Sequence, residues 1–400
     1  MGKKLSLKEL PIEGKKVLMR VDFNVPLDAE SKITDDTRIK AALPSIQHVL
    51  DHQGALILMS HLGRPQGKVD TKYSLAPCAK RLSELIRRPV TLAPDCVGPV
   101  VEKLARDLKP GEILMLENLR FHAAEEHPEA DPIFGEHLAR LGNFYVNDAF
   151  GTAHRFHTST AQIASYFPEK AATGFLMEKE LAFLGEALLH PKRPFYALIG
   201  GAKVSSKLAV IEALLDRCDG LFVGGGMSYT FLKAQGMAIG DSIHEDGMLE
   251  EARRILKKGK NLYLPEDSLI ADKIDLSARV RPIDHAAGIP AGWQGVDIGP
   301  KTVARYTAQM QQAATLFWNG PMGIFEIPPF AHGTFAIARA VAQLSAVTII
   351  GGGETAAAIE ASGVADRMTH ISTGGGATLE YLEQGTLPGI EALSEVHSIK

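Results

Sequence analysis

Basic side chains follow short apolar runs in the first half of the sequence. They are His61 and Arg64 after "ALILM", Arg120 after "ILMLENL", and His154 and Arg155 after "FYVNDAFGTA". Arg38 follows the first run, "KKVLMRV", in a segment that we predict to be a polar loop. A single arginine after a strand is usually solvated or in a surface ion pair. Several guanidinium groups that converge suit a ligand with several oxyanions, because each can donate two hydrogen bonds to phosphate or carboxylate.

Polar residues at the end of the first run add a second kind of contact. Asp22 and Asn24 in "RVDFNVP" have a spacing that places both side chains on one face of a strand, where they could bind a hydroxyl group. Arg20, in the same run, is open to two interpretations, a ligand contact or a structural ion pair, and we predict the ion pair.

Histidines in this half raise the alternative of a metal site. His61, His154 and His157 are the candidates, and "HRFH" has the i,i+3 spacing that a helix could use. The neighbouring arginines argue against this alternative because they would repel a cation. We interpret "HAAEEH", residues 122–127, as a solvated loop.

Glycine clusters follow the apolar runs of the second half. The segment "IGGAKVSSKLAV" predicts a strand, a glycine turn at Gly201 and then a helix, with Lys203 and Lys207 adding positive charge. Glycine permits close approach to a phosphate, and the N–H groups at a helix N-terminus bind it. Neither G-x-x-x-x-G-K-[ST] nor G-x-G-x-x-G occurs in the chain, so this is not a Walker A loop and a dinucleotide fold is less favoured.

Three further segments, "VGGGMSYTF", "IGGGETAAA" and "STGGGATLE", repeat this design. Any one of them could be a tight turn, but three favour a nucleotide or polyphosphate surface. Glu354 could hold Mg²⁺ on a bound phosphate, or it could be an acid that favours a helix N-terminus. Asn319 and Glu326 in "WNGPMGIFE" could bind ribose hydroxyls or lie on the surface.

Strand-like and helix-like segments alternate along the chain, which predicts βα units and mostly parallel sheets, an α/β fold. Ligands of such sheets bind at the carboxyl ends of the strands. Basic and polar residues follow the predicted strands of the first half, whereas glycines follow the predicted strands of the second half. We therefore predict two α/β domains with two different ligands. A helix predicted over residues 175–189 could connect the domains, or it could be one more surface helix.

Composition narrows the class of protein further. The chain has 400 residues, of which 45% are hydrophobic, and a formal net charge of −4. The length favours two domains, and the charge gives no reason to expect a nucleic-acid partner. No run of 18 apolar residues and no signal-like N-terminus occur, and the three cysteines show no disulfide or CxxC pattern. We therefore expect a cytoplasmic protein with no membrane partner.

Taken in order, the motifs "RVDFNVP", "SHLGRP", "ENLRFH", "NDAFGTAHR", "GGAKVSSK", "GGGMSYTF", "WNGPMGIFE", "GGGET" and "STGGGATLE" resemble the phosphoglycerate kinase family over nearly the whole chain. The resemblance implies two Rossmann-like domains with mostly parallel sheets, separated by a cleft and joined by a helix. It implies a phosphoglycerate-binding domain at residues 1–172 and a nucleotide-binding domain at residues 173–385. A tail, residues 386–400, would return to the N-terminal domain.

The resemblance also implies roles for individual residues. The residues matching the substrate site are Asp22, Phe23, Asn24, Arg38, His61, Leu62, Gly63, Arg64, Arg120 and Arg155. Those matching the nucleotide site are Gly201, Lys203, Lys207, Gly225, Asn319, Glu326, Gly352, Gly353, Glu354 and Thr355. Those matching the catalytic set are Arg38, Lys203, Gly352 and Gly375. Glu354 would hold Mg²⁺, directly or through water. Many members of the family have Asp at this position, and Thr378 stands where Ser is common.

The implied reaction is the reversible transfer of the acyl phosphate of 1,3-bisphosphoglycerate to MgADP, which gives 3-phosphoglycerate and MgATP in glycolysis. By resemblance the protein would be a monomer. Two alternatives stay open at this point. One is a nucleotide-binding scaffold without activity, and the intact set of Arg38, Lys203 and Glu354 argues against it. The other is an NAD-dependent dehydrogenase, which the missing G-x-G-x-x-G motif disfavours.

Overall fold

The computed structural model describes residues 2–396 and divides the chain into two compact units. Unit 1 comprises Met1–Ala182 with Thr386–Lys400, and unit 2 comprises Phe183–Gly385. The last four residues of the predicted tail, 397–400, lie outside the described residues. Within residues 2–396, no helix combines the length and the apolar character needed to cross a membrane.

Unit 1 is built on a six-stranded sheet with the order β3-β4-β2-β1-β5-β6, in which every pair of neighbours is parallel. Its elements are β1 (Lys16–Val21), α1 (Thr37–Asp51), β2 (Ala55–Met59), α2 (Ala76–Ile86), β3 (Thr91–Leu92), α3 (Pro99–Asp107), β4 (Ile113–Met115), α4 (Phe134–Ala139), β5 (Phe144–Asp148), β6 (Ala171–Thr173) and α5 (Phe175–Leu181). Short 3₁₀ turns lie at Leu7–Glu9, Thr71–Tyr73, Leu119–Phe121, Ala123–Glu125, Pro128–Ala130, Phe150–Thr152 and Gln162–Tyr166.

Both faces of this sheet are covered, which explains why its strands are continuous apolar runs. Val17 and Met19 of β1 pack into one buried apolar cluster, and Leu18 between them packs into a second cluster. Successive side chains of a strand point to opposite faces, so the two clusters are the two sides of one sheet.

The boundary of unit 1 falls after Ala182 and not after residue 172. Strand β6 pairs with β5 and completes the sheet, and α5 follows it at once. The carboxylate of Asp148 at the end of β5 accepts hydrogen bonds from the backbone N–H groups of Leu176 and Met177, at 2.9 and 3.2 Å. These contacts hold α5 to unit 1. The predicted helix over residues 175–189 is α5 followed by a π-helix at Ala182–Leu189.

The end of the chain packs on the beginning of unit 1. The N–H of Leu5 donates to Ser394, and the N–H of Ser394 donates to Ala171 of β6, at 2.8 and 2.9 Å. Backbone hydrogen bonds therefore attach residues 386–396 to the same sheet edge as the N-terminus.

Unit 2 contains a parallel six-stranded sheet with the order β15-β14-β13-β7-β8-β9 and an antiparallel three-stranded sheet with the order β11-β10-β12. Its strands are β7 (Phe195–Ile199), β8 (Gly220–Val223), β9 (Leu262–Tyr263), β10 (Asp267–Ala271), β11 (Val280–Asp284), β12 (Gln294–Ile298), β13 (Thr315–Asn319), β14 (Val347–Gly351) and β15 (His370–Ile371). Its helices are α6 (Leu208–Leu215), α7 (Met227–Ala234), α8 (Leu249–Lys258), α9 (Pro300–Met310), α10 (His332–Val341), α11 (Gly353–Ala361) and α12 (Gly376–Gln384), with 3₁₀ turns at Asp246–Met248, His285–Ala287, Pro328–Phe330 and Ala365–Arg367. Helix α13 (Pro388–Glu391) follows in the segment that belongs to unit 1.

The antiparallel sheet was not predicted from the sequence. The run "NLYLPEDS" contains only the two residues of β9 and the start of β10. Strand β11 carries a proline at its centre and exposed side chains at Val280 and Arg281, so it lacks the apolar pattern that identified the other strands.

Candidate active site

The loops at the carboxyl ends of β1, β2 and β4 are joined to one another through Gly63. Its N–H donates to Asn24 Oδ1 at 2.9 Å, and its carbonyl accepts from Arg120 Nη1 at 2.9 Å. Gly63 has φ +62°, and a Cβ built there would lie 2.4 Å from the ring of Tyr73. Only glycine fits at this position. The two hydrogen bonds of its backbone join the three loops at one junction.

Asp22 and Arg38 form an ion pair beside this junction, with 2.7 Å between Oδ2 and Nη1. Arg38 lies in the first turn of α1, so its prediction as a loop residue is wrong. Asp22 and Asn24 lie beyond the end of β1, so their prediction on one strand face is also wrong. The connection between β1 and α1, residues 22–36, returns towards its own start, so that Asp22 contacts the first turn of the helix. The local spacing does not show this contact.

A fully buried arginine supports the imidazole of His61. Arg20 Nη2 lies 3.1 Å from His61 Nδ1, and Arg20 Nε donates to the Ser159 hydroxyl at 2.8 Å. Guanidinium has no acceptor, so Nδ1 must accept and the ring hydrogen must lie on Nε2. Burial, with the charge of Arg20, lowers the pKa of His61 well below its usual value. His61 is thus a neutral donor, and Arg20 makes hydrogen bonds where we predicted an ion pair.

Glu125 completes this buried network. Its carboxylate accepts from the hydroxyl and the N–H of Ser159, at 2.6 and 3.0 Å, and burial raises the pKa of Glu125. The prediction that residues 122–127 form a solvated loop is therefore wrong for Glu125, which is inaccessible to solvent. Nothing in "HAAEEH" distinguishes the buried Glu125 from the partly exposed Glu126 beside it, so Glu125 was not recognised from the sequence. Its partner Ser159 lies 34 residues away and was not recognised either.

Several positive charges act on one ring in this part of unit 1. The pKa of His157 is lowered to about 3 by burial and by the charges of Arg120, Arg20 and Arg155. The charges of all three arginines therefore act on this one ring. Within residues 2–396, His61, His154 and His157 form no group with metal-ligand geometry. An anion suits these positive charges better than a metal ion does. We call Arg20, Arg120, Arg155 and the neighbouring His61 and His157 the basic group.

The remaining predicted substrate residues differ in what they can offer. Phe23 and Leu62 are buried in the apolar core, so only their backbone atoms can reach a ligand. Arg64 is exposed and follows Gly63 directly. Arg155 is half-buried and donates from Nε to His154 Nε2 at 3.2 Å.

In unit 2 the loops after β7, β8 and β13 are joined through backbone contacts. Gly201 N–H donates to Pro321 and Gly225 N–H donates to Met322, at 3.1 and 2.8 Å. Lys207 Nζ donates to Gly200 O and Asn319 Oδ1, each at 2.7 Å. Helix α6 begins at Leu208, so the predicted order of strand, glycine turn and helix is confirmed. Burial lowers the pKa of Lys207 to about 8, whereas Lys203 is exposed.

A cavity of about 360 Å³ lies between these loops and the first turns of α11 and α12. Its lining includes Lys207, Asn319, Gly352, Gly353, Gly375 and Gly376. A Cβ built at Gly353 or at Gly376 would meet no atom within 4 Å, and neither residue has a positive φ. Neither packing nor backbone conformation therefore requires glycine at these two positions, whereas a ligand at the backbone would.

Glu354 lies in the first turn of α11, as its helix interpretation predicted, and it is exposed at the edge of this cavity. An exposed carboxylate at the edge of a glycine-lined cavity has the oxygen donor that Mg²⁺ prefers, so Glu354 fits a metal held also by phosphate and water. The Thr355 hydroxyl accepts from Gly320 N–H at 2.6 Å and stabilises the loop.

Glu354 and Glu326 also line a second cavity of about 280 Å³. Its walls include Gly225, Tyr229, Ile243 and Asp297. Burial raises the pKa of the Asp297 carboxyl to about 7. The motif with Tyr229 was identified from the sequence, but Ile243 and Asp297 were not. Neither lies in a motif that the sequence singled out, and the fold brings both to Tyr229.

The α/β fold combines a group of basic side chains in one unit with a glycine-lined cavity at helix N-termini in the other. This combination is typical of phosphotransferases. A family profile described as phosphoglycerate kinase matches residues 7–385. The phosphoglycerate kinase of Chlorobium phaeobacteroides is 53% identical over 98% of this chain and 100% of its own length. That of Chlamydia muridarum is 51% identical, with 99% and 100% covered.

Solved structures agree with the sequence relatives. A structure described as phosphoglycerate kinase from Coxiella burnetii superposes with a TM-score of 0.87 and 40% identity, covering 97% of this chain and 98% of the other. One from Pyrococcus horikoshii has a TM-score of 0.84 and 33% identity, with the same coverage. This chain belongs to the phosphoglycerate kinase family. It is a phosphotransferase of glycolysis, and the predictions of the family, the fold class and the type of enzyme are confirmed.

Proposed function

We propose that unit 1 binds 3-phosphoglycerate or 1,3-bisphosphoglycerate at its basic group, and that unit 2 binds MgADP or MgATP at its glycine-lined cavities. The observation that carries this assignment is the pair of open glycines, Gly353 and Gly376, at the first turns of two helices. Without side chains at these positions, the phosphates of a nucleotide can approach the backbone N–H groups closely. The clustered arginines of the other unit suit a small acid with several oxyanions.

In unit 1, guanidinium groups bind the phosphate and carboxylate oxygens of the substrate. His61 donates from Nε2, since Arg20 occupies Nδ1. Asp22 forms an ion pair with Arg38 at 2.7 Å, and its carboxylate can also accept a hydrogen bond from a substrate hydroxyl. The buried chain from Glu125 through Ser159 to Arg20 holds these groups in position before the substrate arrives.

In unit 2, Lys207 and the N–H groups at the starts of α11 and α12 bind phosphate oxygens. Mg²⁺, held by Glu354, supplies positive charge to the phosphates when it is bound. The second cavity is continuous in its lining with the first through Glu354 and takes the rest of the nucleotide, with Glu326 near the ribose.

The chemical step needs little from the protein beyond position and charge. In the direction that consumes ATP the nucleophile is a carboxylate, which has a pKa of about 4 and is ionised at neutral pH. No general base is required. Arg38, Lys203 and the amides of Gly352 and Gly375 balance the charge of the phosphoryl group that moves between the two oxygens.

Transfer between ligands that are bound to different units requires the ligands to meet. We therefore include a domain-closing motion that aligns donor and acceptor and expels water. A monomer in the cytoplasm completes the proposal, because each unit supplies its own ligand site from one chain.

A coupled assay tests the proposal by measuring ATP formed from ADP and 1,3-bisphosphoglycerate. Wild-type protein is expected to form ATP, and Arg38→Ala purified in the same way is the control for contaminating kinase. MgADP binding without ATP formation would identify a scaffold, and tight NAD binding would identify a dehydrogenase. Either result would overturn the assignment.

A further inference from the structure

Three potential metal ligands meet in unit 1 outside the basic group. Asp95 and Cys96 lie in the loop between β3 and α3, and His122 follows the 3₁₀ turn after β4. One carboxylate oxygen, the thiol sulfur and one imidazole nitrogen lie within 4.8 Å of one another, and residues 2–396 contain no other such group of three. Strands β3 and β4 are adjacent and parallel, so their carboxyl ends bring the two loops together.

The three side chains are held in place by contacts of their own. His122 Nε2 lies 2.7 Å from Asp95 Oδ1, and the backbone N–H of Cys96 donates to the same oxygen at 2.6 Å. The ring of His122 stacks on Phe134, with 5.2 Å between ring centroids. The carbonyl of Asp95 accepts from Glu117 N–H at 3.4 Å. The ligand set is thus oriented by its surroundings.

The group is open to solvent on one side. Cys96 is fully buried, whereas 44% of the Asp95 side chain and 31% of the His122 side chain are exposed. A cation can therefore enter past the carboxylate and the imidazole and reach the sulfur, and water can complete its coordination on the exposed side.

We propose that Asp95, Cys96 and His122 bind a thiophilic divalent metal ion such as Zn²⁺. Sulfur, nitrogen and oxygen together suit zinc, whereas Mg²⁺ prefers oxygen alone, so this site is distinct in chemistry from the nucleotide metal. Ligand atoms of a tetrahedral zinc site lie roughly 3.3–3.8 Å apart. Metal binding therefore requires the 2.7 Å contact between His122 Nε2 and Asp95 Oδ1 to open, with all three ligand atoms now within 4.8 Å of one another.

Binding has a defined proton balance. The Cys96 thiol releases its proton to solvent and coordinates as thiolate. His122 coordinates through Nε2, so its ring hydrogen moves to Nδ1, and the metal takes the place of the hydrogen between His122 and Asp95. The ion then links the loops after β3 and β4. The second of these carries Arg120, two residues before His122, so metal binding stiffens the edge of the basic group.

The test uses the full chain without an affinity tag and Co²⁺ as a spectroscopic probe, followed by competition with Zn²⁺. We expect one Co²⁺ per chain, the visible bands of a four-coordinate ion and a thiolate-to-cobalt charge-transfer band, all lost when Zn²⁺ displaces it. Cys96→Ser should abolish the charge-transfer band and weaken binding by more than about 10-fold. Cys78→Ser, which removes another buried thiol, should change neither.

A charge-transfer band that persists in Cys96→Ser would overturn the proposal, as would the absence of stoichiometric binding or displacement of Co²⁺ by equimolar Mg²⁺. X-ray absorption of the wild-type protein with Zn²⁺ keeps the test independent of how well the variant folds. One sulfur at about 2.3 Å is expected, and a shell of nitrogen and oxygen alone would refute the site.

Discussion

Unit 1 and unit 2 offer a ligand different groups. The candidate site of unit 1 has charged side chains, and that of unit 2 has backbone N–H groups with few side chains around them. In unit 1 a buried guanidinium, Arg20, is held by Ser159 and contacts His61 before any ligand is present. In unit 2 the cavity is lined largely by glycines, and Lys207 is its one half-buried cation among the lining residues that the structure describes.

The difference follows from the cost of burying charge. A buried cation is tolerated only where hydrogen bonds replace the water that it loses, so the basic group needs a supporting network. Backbone amides carry no net charge and need only loops without side chains in the way. A small acid is recognised by placed charges, and a nucleotide by a surface that its phosphates can approach closely.

The largest effect is expected from Arg38→Ala. If this guanidinium acts mainly on the moving phosphoryl group, kcat should fall on the order of 10³-fold or more, as for arginines with that role, while KM changes less. Steady-state kinetics in both directions, with a melting curve to exclude unfolding, measure this. Lys40→Ala, two residues along the same helix and exposed, is the matched control and should keep kcat within about twofold. A near-normal kcat at saturating substrate would make Arg38 a binding residue only.

Arg64→Ala separates the two sites. Loss of a charged hydrogen-bond donor costs about 1.5–3 kcal/mol, so phosphoglycerate affinity should fall roughly 10- to 100-fold, with MgADP affinity unchanged. Calorimetry with each ligand measures both. Arg140→Ala, an exposed arginine of the same unit that pairs with Glu136, should leave both affinities unchanged. Equal weakening of both ligands by Arg64→Ala would contradict separate sites.

Gly353→Ala tests the backbone site in unit 2. Its Cβ meets no protein atom and its φ is not positive, so the melting temperature should hold or rise slightly while MgADP binding weakens by about 10-fold. Gly247→Ala is the matched control, because its Cβ also meets nothing and it lies outside the cavities. If Gly353→Ala binds MgADP normally, no ligand lies against α11.

The lowered pKa of Lys207 leads us to expect that nucleotide affinity depends on pH. Its pKa is lowered to about 8 by burial, and a bound phosphate favours the charged form and raises that pKa again. The complex therefore binds more protons than the free protein above pH 8, and MgADP affinity should fall as pH rises, at most about 10-fold per pH unit. Calorimetry at pH 8 in two buffers of different ionisation enthalpy should show proton uptake, which Lys207→Met should abolish. Equal uptake in that variant would assign the proton to another group.

Glu354→Gln should have the smallest effect, because the carboxylate is exposed and other metal ligands come from phosphate and water. We expect the gain in ADP affinity on adding Mg²⁺ to shrink by a few-fold, on the order of one weakened ligand contact. Titrations of MgADP and of metal-free ADP measure this gain. An unchanged gain would leave Glu354 as a helix-terminal acid without a metal role.

The parallel sheets were predictable because apolar runs and glycine turns are local features. The antiparallel sheet was not, since β11 has exposed side chains and a central proline. The extent of unit 1 was also missed, because α5 is held by Asp148, a contact that spans 28 residues and has no local pattern.

In the candidate site, too, local features were predictable from the sequence and long-range contacts were not. The types of its residues could be read directly, since His61 and Arg64 follow a strand and three glycine clusters precede helices. The burial of Glu125 and the hydrogen on His61 Nε2 could not be read, because each depends on a partner distant along the chain. The start of α1 just before Arg38 is a local feature, which the interpretation of this segment as a polar loop missed.

The sequence by itself determined the family, the two kinds of strand end and the chemistry that each kind can offer, because residue type and short-range spacing are properties of the chain alone. Only the tertiary structure decided which charges are buried, which glycines are open and which donors pair, because those depend on contacts made after folding. Arg20 and Arg64 show the difference. Both are arginines near strand ends, but one is enclosed by Ser159 and His61, and the other remains exposed for a ligand.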